Sequence, residues 1–449
     1  MTKILPTIGP ATQDIKKLKF ILKFTDYVRL NGAHNNLTWH KKISNNLKKL
    51  NSDINILLDF PGVKPRTSNH ESIKIKKNQK VIFFYNKKIK NLKNCLHIKI
   101  TNPFPKFTKK FVNFSVSDGK YKFKVVKISS NYILAKSLSD FYLGKQKGVN
   151  FPLSVYNEKV QIKKYLKFFY KTNGIKYDAI GLSYVQSKNL IQNIRKNKIN
   201  KIIISKIENL SGLRNIREIT EVSDAIMIDR GDLSAEIGEM NLYKAIKKIS
   251  QVANEFGKPL IMATENLDSM ILDNSMSSPT KSDIISLEIS RDLGADRIML
   301  SDETATSKNW KNIISWLNKF LSFKDLDKNN LTTKYEIFWN ALSKFEHLPL
   351  ILFTKKGYAL KKLKHFNYKS LFIFTENKRV KNIYSLKEKI NYKLINNFKI
   401  NDNLFIFKNI KKFKKDIFKQ NEIALLINIT SPKKNSRANS LSLISKKDF

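Results

Sequence analysis

Short apolar runs recur along the chain between residues 3 and 300, and helix-length segments separate most of them. Several runs are apolar at consecutive positions and do not alternate with polar residues. Continuous apolar runs of this length are typical of parallel strands that are buried on both faces. Eight strands are predicted in this way, at residues 3–7, 27–30, 54–58, 179–183, 202–205, 225–228, 260–263 and 297–300.

Polar side chains follow these runs where each predicted strand ends. Eight alternating βα units predict an α/β fold, a TIM (β/α)8 barrel, whose chemistry lies at the rim formed by the carboxyl ends of its strands. Lys206, Glu208 and Asp232 follow two neighbouring strands and fall at that rim. Two carboxylates suit a hard divalent cation and a lysine suits an anionic substrate, although a surface ion-pair network uses the same residue types.

Two further regions are predicted to form units of their own. Residues 67–151 are too long for a crossover and contain alternating apolar and polar runs, which predict an inserted small β-barrel lid. We expect a catalytic barrel at 1–66 and 152–335, the β-rich lid at 67–151, and a divergent C-terminal α/β domain at 336–449. Candidate strands in the last domain lie at 350–353, 371–374, 404–407 and 424–429. The lysine- and serine-rich tail from Ser431 onward predicts disorder.

The charge of the chain is strongly positive. It has 84 Lys and Arg against 37 Asp and Glu, a formal net charge of +47. Such a charge attracts polyanions. The lysines are scattered, however, and no basic arm or nucleic-acid-binding motif accompanies them, so we expect no specific nucleic-acid partner. A polyanion-binding protein built on a barrel stays open as an alternative.

Cysteine content and hydropathy bear on the compartment. Cys95 is the single cysteine, which excludes a disulfide within the chain. No stretch of about 18 uncharged apolar residues predicts a membrane span. The first predicted strand begins at Lys3, which leaves no room for a signal peptide. We therefore expect a cytoplasmic protein without membrane association.

A series of motifs between Thr7 and Ala305 resembles the pyruvate kinase family, in the family's order. They are Thr7-Ile8-Gly9-Pro10-Ala11-Thr12, Val28-Arg29-Leu30-Asn31, Lys147-Gly148-Val149-Asn150-Phe151-Pro152, Lys206-Ile207-Glu208-Asn209, Arg230-Gly231-Asp232-Leu233, Gly257-Lys258-Pro259, Ala263-Thr264, Ser269-Met270, and Met299-Leu300-Ser301 with Glu303-Thr304-Ala305. The resemblance implies a barrel with a lid inserted after the third strand and a C-terminal α/β domain. It also implies a glycolytic enzyme, a homotetramer that transfers the phosphoryl group of phosphoenolpyruvate to ADP, giving pyruvate and ATP.

The resemblance implies a role for each residue at the rim. Glu208 and Asp232 would hold Mg2+ or Mn2+. Lys206 and Arg29 would bind the transferring phosphate, and Thr264 would lie beside the methylene carbon of the substrate. The turn through Arg230, Gly231 and Asp232 would receive the substrate carboxylate. The pair Ser301 and Glu303 would belong to the proton relay.

Two more groups of residues match the family by position. Asn31, His34 and Arg66 match positions that contact the nucleotide phosphates or the monovalent ion, and Lys147 or Lys145 could reach the nucleotide from the lid. The monovalent-cation region comprises Asn31, Asp59, Phe60 and Lys64. Ala33 stands where the family commonly has a serine ligand for potassium, and Lys64 stands where it has glutamate. Because a lysine ammonium can supply the positive charge of the ion, we expect no requirement for K+.

Other readings stay open at several positions. Thr264 could cap a helix, His34 could bond only to backbone, and Arg66 could anchor the lid hinge. Asp229 stands where the family usually has alanine, and Asp302 where it has glycine. Added anions near an anionic substrate raise the free energy of binding it. A degenerate pyruvate-kinase-like protein, weakly active or inactive, is therefore an alternative function.

Overall fold

The computed structural model describes residues 2–86, 94–107, 111–117, 119–197, 199–273 and 276–323 of the chain. In the C-terminal region it describes residues 342, 344–355, 357, 360, 363, 368, 370–380, 390–396, 402–419, 422–428 and 440–449.

The strands fall into three groups along the chain. The first three are β1 (Lys3–Ile8), β2 (Tyr27–Asn31) and β3 (Asn55–Phe60). An inserted group follows: β4 (Ile73–Ile75), β5 (Lys80–Phe84), β6 (Leu96–Lys99), β7 (Lys106–Phe107), β8 (Asn113–Val116), β9 (Tyr121–Ile128), β10 (Tyr132–Ser137), β11 (Phe141–Leu143), β12 (Val149–Asn150) and β13 (Ser154–Val155). The next five are β14 (Ala179–Leu182), β15 (Ile202–Ile207), β16 (Ala225–Asp229), β17 (Leu260–Ala263) and β18 (Arg297–Leu300). The C-terminal strands are β19 (Pro349–Phe353), β20 (Ser370–Thr375), β21 (Ile390–Leu394), β22 (Ile423–Asn428) and β23 (Ser440–Ser445).

Helices pack around the first and third groups of strands. They are α1 (Ile15–Ile21), α2 (Leu37–Leu50), α3 (Glu158–Lys171), α4 (Lys188–Lys196), α5 (Leu210–Arg214), α6 (Ile216–Val222), α7 (Arg230–Ile237), α8 (Leu242–Glu255), α9 (Ser269–Leu272), α10 (Lys281–Asp292), α11 (Asp302–Ala305) and α12 (Trp310–Ser322). Polar side chains begin several of them, as Asn36 accepts from Trp39 N and Thr280 from Asp283 N.

The predicted (β/α)8 barrel is confirmed. Its strands close in the order β1-β18-β17-β16-β15-β14-β3-β2, and all of the pairs are parallel. Apolar side chains fill the interior, among them Leu57, Ile204 and Met227, and a second apolar layer joins the strands to the helices. All eight carboxyl ends therefore lie on one packed rim, the rim on which the predicted site residues fall.

Aspartates fix the opposite, amino-terminal end of the barrel. Asp178, Asp224 and Asp296 each directly precede a barrel strand. Their Oδ2 atoms accept hydrogen bonds of 2.8–2.9 Å from Ile56, Ile203 and Leu260 N in the neighbouring strands. Each side chain therefore ties two adjacent strands together at this end of the barrel.

The inserted group forms a separate β-rich unit with its own apolar core, as predicted for the lid. Its largest sheet has the order β12-β8-β9-β10-β5-β6. Phe83, Phe114, Phe123 and Phe151 pack in its core. The lid rests against α7 of the barrel and the residues that follow this helix. Leu153 N donates to Glu236 O at 3.4 Å, and Lys122 Nζ lies 3.4 Å from Glu239 Oε1.

The C-terminal region forms a sheet of the order β21-β20-β19-β22-β23, parallel apart from β23. The strand predicted at 404–407 is wrong, because these residues lie in a helix, Asn403–Lys412, which Asp402 caps and which buries Ile406 and Ile410. A second short helix spans Lys414–Ile417. The disorder predicted from Ser431 onward is wrong for Ser440–Ser445, which form β23. Residues 431–439 lie outside the described residues.

Among the described residues, no helix is both long enough and apolar enough to cross a bilayer.

Candidate active site

Lys206 lies at the centre of a cluster of charged side chains on the barrel rim. It extends from β15, and its Nζ lies 2.8 Å from Glu208 Oε1 and 3.3 Å from both Asp59 Oδ2 and Asp229 Oδ2. Its side chain is 6% exposed. Burial by itself lowers the pKa of Lys206, but the three carboxylates outweigh it and hold this pKa well above its ordinary value. The ammonium is therefore a fixed positive charge at any physiological pH.

Three carboxylates beside Lys206 form a set that could hold a metal ion. One oxygen each from Glu208, Asp229 and Asp232 lies within 4.8 Å of the others. Burial raises the pKa of Glu208 to about 8; Lys206 opposes the rise, and the charges of Asp229 and Asp232 add to it. Hard carboxylate oxygens in a region of negative potential fit Mg2+ or Mn2+. The sequence predicted two of these residues for a metal, and the structure adds Asp229.

Arg29 is held against the cluster from β2. Its Nε and Nη2 donate to Asp59 Oδ2 at 3.0 and 2.7 Å, and its Nη1 donates to Thr7 Oγ1 at 3.0 Å. Ser301 Oγ lies 3.5 Å from the same Nη1. Asp59 thus binds Arg29 and Lys206 together, and its Oδ1 atom is buried without a hydrogen-bond partner among the described residues. The two predicted phosphate-binding cations share one carboxylate.

The turn that begins α7 is linked to the loop after β17. Gly231 N donates to Thr264 Oγ1 at 3.0 Å, and Asp232 N donates to Asp229 Oδ1 at 3.4 Å. Thr264 has φ 62°, which places it in the left-handed region. A non-glycine residue held there indicates that the surroundings fix the loop. The N–H groups predicted to receive a substrate carboxylate are therefore present at the rim and already face oxygen atoms.

The side chain of Arg230 anchors the loop after β17. Its guanidinium donates to Thr264 O at 3.0 Å, Glu265 O at 2.7 Å, Asn266 Oδ1 at 2.8 Å and Ser286 Oγ at 2.7 Å. The side chain is buried and holds the strained loop in place. Any substrate contact at Arg230 is left to its backbone.

Glu303 lies behind Ser301 and faces backbone donors. Its carboxylate accepts from Ser301 N and, at 3.4 Å, from Asn266 N. Burial raises the pKa of Glu303 to about 7; the backbone hydrogen bonds oppose this, and the charge of Asp268 adds to it. A carboxyl group that titrates near neutral pH can both donate and accept a proton. Glu303 thus contacts the backbone N–H of Ser301, and Asn266 is a partner that no motif indicated.

Both segments that connect the lid to the barrel reach Asp232. Lys64 Nζ, on the incoming segment, contacts Asp232 Oδ1, and Asn150 Nδ2, on the outgoing β12, donates to the same atom at 3.0 Å. The Lys64 side chain is 6% exposed. Asn150 belongs to the Lys147-Gly148-Val149-Asn150 motif, so the sequence marks it as a residue of interest. Its hydrogen bond to Asp232 appears only in the structure. Asp232 thus connects the carboxylate set to the lid.

The residues predicted to contact the nucleotide lie around the mouth of the barrel. Burial lowers the pKa of His34, and the positive charges of Arg66, Arg29 and Lys147 lower it further. This places Arg66 and Lys147 within electrostatic reach of His34. Arg66 also anchors the lid, since its Nη1 donates to Gln146 O at 3.2 Å.

Two residues predicted for the monovalent-cation region point elsewhere. Phe60 is buried, and its ring packs edge-on against Phe168 at a centroid distance of 4.9 Å. It can offer only its backbone carbonyl, which accepts from Ser183 Oγ at 3.2 Å. Asn31 Oδ1 accepts from Ala33 N at 3.1 Å, within its own turn.

Comparison with known proteins assigns the family. The family model described as pyruvate kinase, barrel domain, matches residues 1–312. The chain belongs to the pyruvate kinase family. A pyruvate kinase from Thermoplasma acidophilum is 28% identical over 76% of this chain and 61% of its own length. One from Encephalitozoon cuniculi is 30% identical over 68% of this chain and 71% of its own length.

A solved structure shares the fold over the whole chain. The crystal structure of a pyruvate kinase from Cryptosporidium parvum covers 99% of this chain and 96% of its own, with a TM-score of 0.75 and 23% identity. The alignment to the Thermoplasma relative, in contrast, spans less than two thirds of that protein's length. All eight barrel strands lie within the part that the family model matches.

Proposed function

We propose that this chain is a pyruvate kinase enzyme, which transfers the phosphoryl group of phosphoenolpyruvate to ADP and gives pyruvate and ATP in the cytosol. The observation that carries the proposal is the cluster around Lys206, where a buried ammonium and a set of carboxylates share the rim of a family-typical barrel. Phosphoryl transfer depends mainly on positioning and on neutralising charge. Fixed cations beside a set of hard oxygen ligands meet both demands.

Lys206 and Arg29 are proposed to bind the transferring phosphoryl group. Both are buried and oriented by Asp59, so neither needs to reorganise as negative charge moves from one oxygen to another. Lys206 also lies where it can stabilise the oxygen of the enolate. Its high pKa means that it acts by charge and does not donate the proton.

Glu208 and Asp232 are proposed to hold Mg2+ or Mn2+. A divalent ion there would supply charge neutralisation for the phosphoryl and carboxylate oxygens of the substrate. The substrate carboxylate is proposed to bind the N–H groups of Gly231 and Asp232 at the start of α7, where the helix dipole favours an anion.

Thr264 and the pair Ser301 and Glu303 are proposed to serve the proton-transfer half of the reaction. Thr264 Oγ1 lies beside the start of α7, within reach of a substrate bound there. Glu303 is proposed to relay the proton through Ser301, since its pKa near 7 suits exchange with solvent. His34, Arg66 and Lys147 are proposed to bind the nucleotide phosphates at the mouth.

A coupled assay tests the proposed function directly. Pyruvate formation from phosphoenolpyruvate and ADP, followed by oxidation of NADH with lactate dehydrogenase, should depend on both substrates and on Mg2+. Absence of turnover with a folded protein would favour the degenerate reading instead. The comparisons favour neither that reading nor a polyanion-binding function. A homotetramer is proposed by family resemblance, and sedimentation of the purified protein tests it.

We further propose that Lys64 removes the need for potassium. Its ammonium is buried against Asp232, so it supplies a positive charge beside the substrate site. Activity should be nearly independent of K+ at constant ionic strength. Lys64→Glu should lower activity several-fold and create a requirement for K+, because it reverses the charge beside Asp232. Steady-state rates over a K+ titration measure both effects.

Tetramethylammonium replaces K+ in the control titration. Constant ionic strength is needed because screening alone changes the attraction of anionic substrates to so basic a protein. Saturable activation of the unmodified enzyme by K+, without activation by tetramethylammonium, would show that Lys64 does not fill the place of the ion.

A further inference from the structure

Asp229 makes contacts that a bound substrate would also need. It ends β16 and is 7% exposed. Its Oδ2 lies 3.3 Å from Lys206 Nζ, and its Oδ1 lies 3.3 Å from Thr264 Oγ1 and accepts from Asp232 N at 3.4 Å. An ammonium, a hydroxyl and a helix N–H thus converge on one carboxylate. These are groups assigned above to the substrate.

The start of α7 offers N–H groups that have no partner within the helix, and an anion satisfies them. In this chain the protein supplies an anion of its own. A second carboxylate that enters the same place is repelled by Asp229, and the repulsion is strong where water is excluded. An anionic substrate must therefore displace Asp229 from these contacts or bind less tightly beside it.

The same carboxylate belongs to the set that could hold the metal. Oxygens of Glu208, Asp229 and Asp232 approach one another within 4.8 Å. The affinity of an oxygen site for a divalent ion rises with the number of charged ligands. The ammonium of Lys64 contacts Asp232 and weakens the attraction of this carboxylate for a cation. The affinity of the set for a divalent ion therefore depends more strongly on the third carboxylate, Asp229.

We propose that Asp229 is an internal counterpart of the substrate carboxylate. In the substrate-free protein it binds the start of α7 and completes the anionic set around the metal, and phosphoenolpyruvate displaces it on binding. This inference rests on the proposed function. Its consequence is a pair of opposed effects, in which Asp229 strengthens metal binding to the free protein and weakens substrate binding.

Direct binding to the full chain tests the inference without turnover. Free Mn2+ is measured by electron paramagnetic resonance in the absence of substrate, for the unmodified chain, Asp229→Asn and Asp229→Ala. Loss of the charged ligand should weaken Mn2+ binding about tenfold or more, which corresponds to about 1.4 kcal/mol. Phosphoenolpyruvate binding is then measured by calorimetry at saturating Mn2+ without ADP, and it should strengthen about tenfold in both variants.

Two controls separate a specific effect from a general one. Asp229→Asn keeps an oxygen that can accept from Asp232 N, so this variant decides the test even where Asp229→Ala does not fold. Asp302→Asn removes one negative charge from the same rim, and Asp302 lies outside the carboxylate set. It should change Mn2+ affinity less than twofold. An equal loss in Asp302→Asn would overturn the inference, because net charge alone would then explain the result.

The two measurements give distinct outcomes. Opposite shifts for Mn2+ and phosphoenolpyruvate support the displaced carboxylate. Weaker binding of both ligands overturns it, since Asp229 would then stay on the metal with substrate bound, and no change in either overturns it as well. Turnover by the unmodified chain without the opposed shifts leaves the proposed function standing and removes this inference. Opposed shifts without turnover would leave this inference standing and would remove the proposed function.

Discussion

Lys206→Met should lower kcat for pyruvate formation by roughly a hundredfold to a thousandfold or more, because a preorganised charge at the reacting atoms is removed. The ammonium is buried and stabilises negative charge that develops during transfer, so the loss should appear in kcat more than in KM. Steady-state kinetics over both substrates measures it. A loss below about tenfold, roughly 1.4 kcal/mol, would remove Lys206 from its assigned role.

The contacts of Lys206 also predict a loss of stability in the same variant. Asp59, Glu208 and Asp229 all lie within 3.3 Å of its ammonium and would lose this counter-charge. Breaking a buried ion pair from one side typically costs about 3–5 kcal/mol. The free energy of unfolding, measured in urea, should fall accordingly, and Mg2+ should restore part of it.

Lys201→Met is the matched control for Lys206→Met. Lys201 directly precedes the same strand at its opposite end, where its Nζ donates to Tyr177 O at 2.6 Å. Because it lies away from the rim, this variant should keep kcat within about twofold. A comparable loss of kcat in both variants would indicate a general effect of removing a lysine from this strand.

Glu208→Gln and Asp232→Asn should each raise the Mg2+ concentration needed for half-maximal activity by about tenfold or more, since each removes a charged ligand from a site with few. The effect should also appear as weaker Mn2+ binding to the substrate-free protein. Glu208 is 1% exposed and Asp232 carries an ion pair with Lys64. Glu208 is likewise paired, with Lys206, so we expect changes of similar size for the two variants.

Glu236→Gln is the control for these two variants. Glu236 lies on α7, one turn beyond Asp232, and its Oε2 accepts from Ser154 Oγ at 2.7 Å. Glu236 lies outside the carboxylate set, and burial raises the pKa of its carboxyl group well above its usual range. Its metal titration should match the unmodified chain. If Glu208→Gln and Asp232→Asn also give the metal titration of the unmodified chain, the metal site lies elsewhere.

The sequence could predict most of the barrel and the composition of its rim. Continuous apolar runs placed the strands, and alternation of strands with helix-length segments placed their carboxyl ends together. The order of strands and helices along the chain therefore brings Lys206, Glu208 and Asp232 to the same rim of the barrel. The alternation within β3 also sends Asp59 and Phe60 to opposite faces, which explains why Phe60 lies in the apolar layer.

The errors came where a local pattern was short or fitted two structures. The apolar run at 404–407 has the length of a strand, but Asp402 caps a helix there and the buried positions, Ile406 and Ile410, are four apart. Periodicity cannot separate a helix from a strand over four residues. Strand β21 was not predicted at all, although it pairs with β20 through five residue pairs and so forms part of the same sheet.

The sequence by itself determined which residue types stand at the ends of the strands, because strand and helix periods are local properties of the chain. Only the tertiary structure decided which charges meet. Asp59 binds Arg29 and Lys206 across three strands, and Asp229, predicted only as an added anion, joins the carboxylate set. These contacts join residues up to 147 positions apart, and they depend on barrel closure and side-chain direction, which no local pattern encodes.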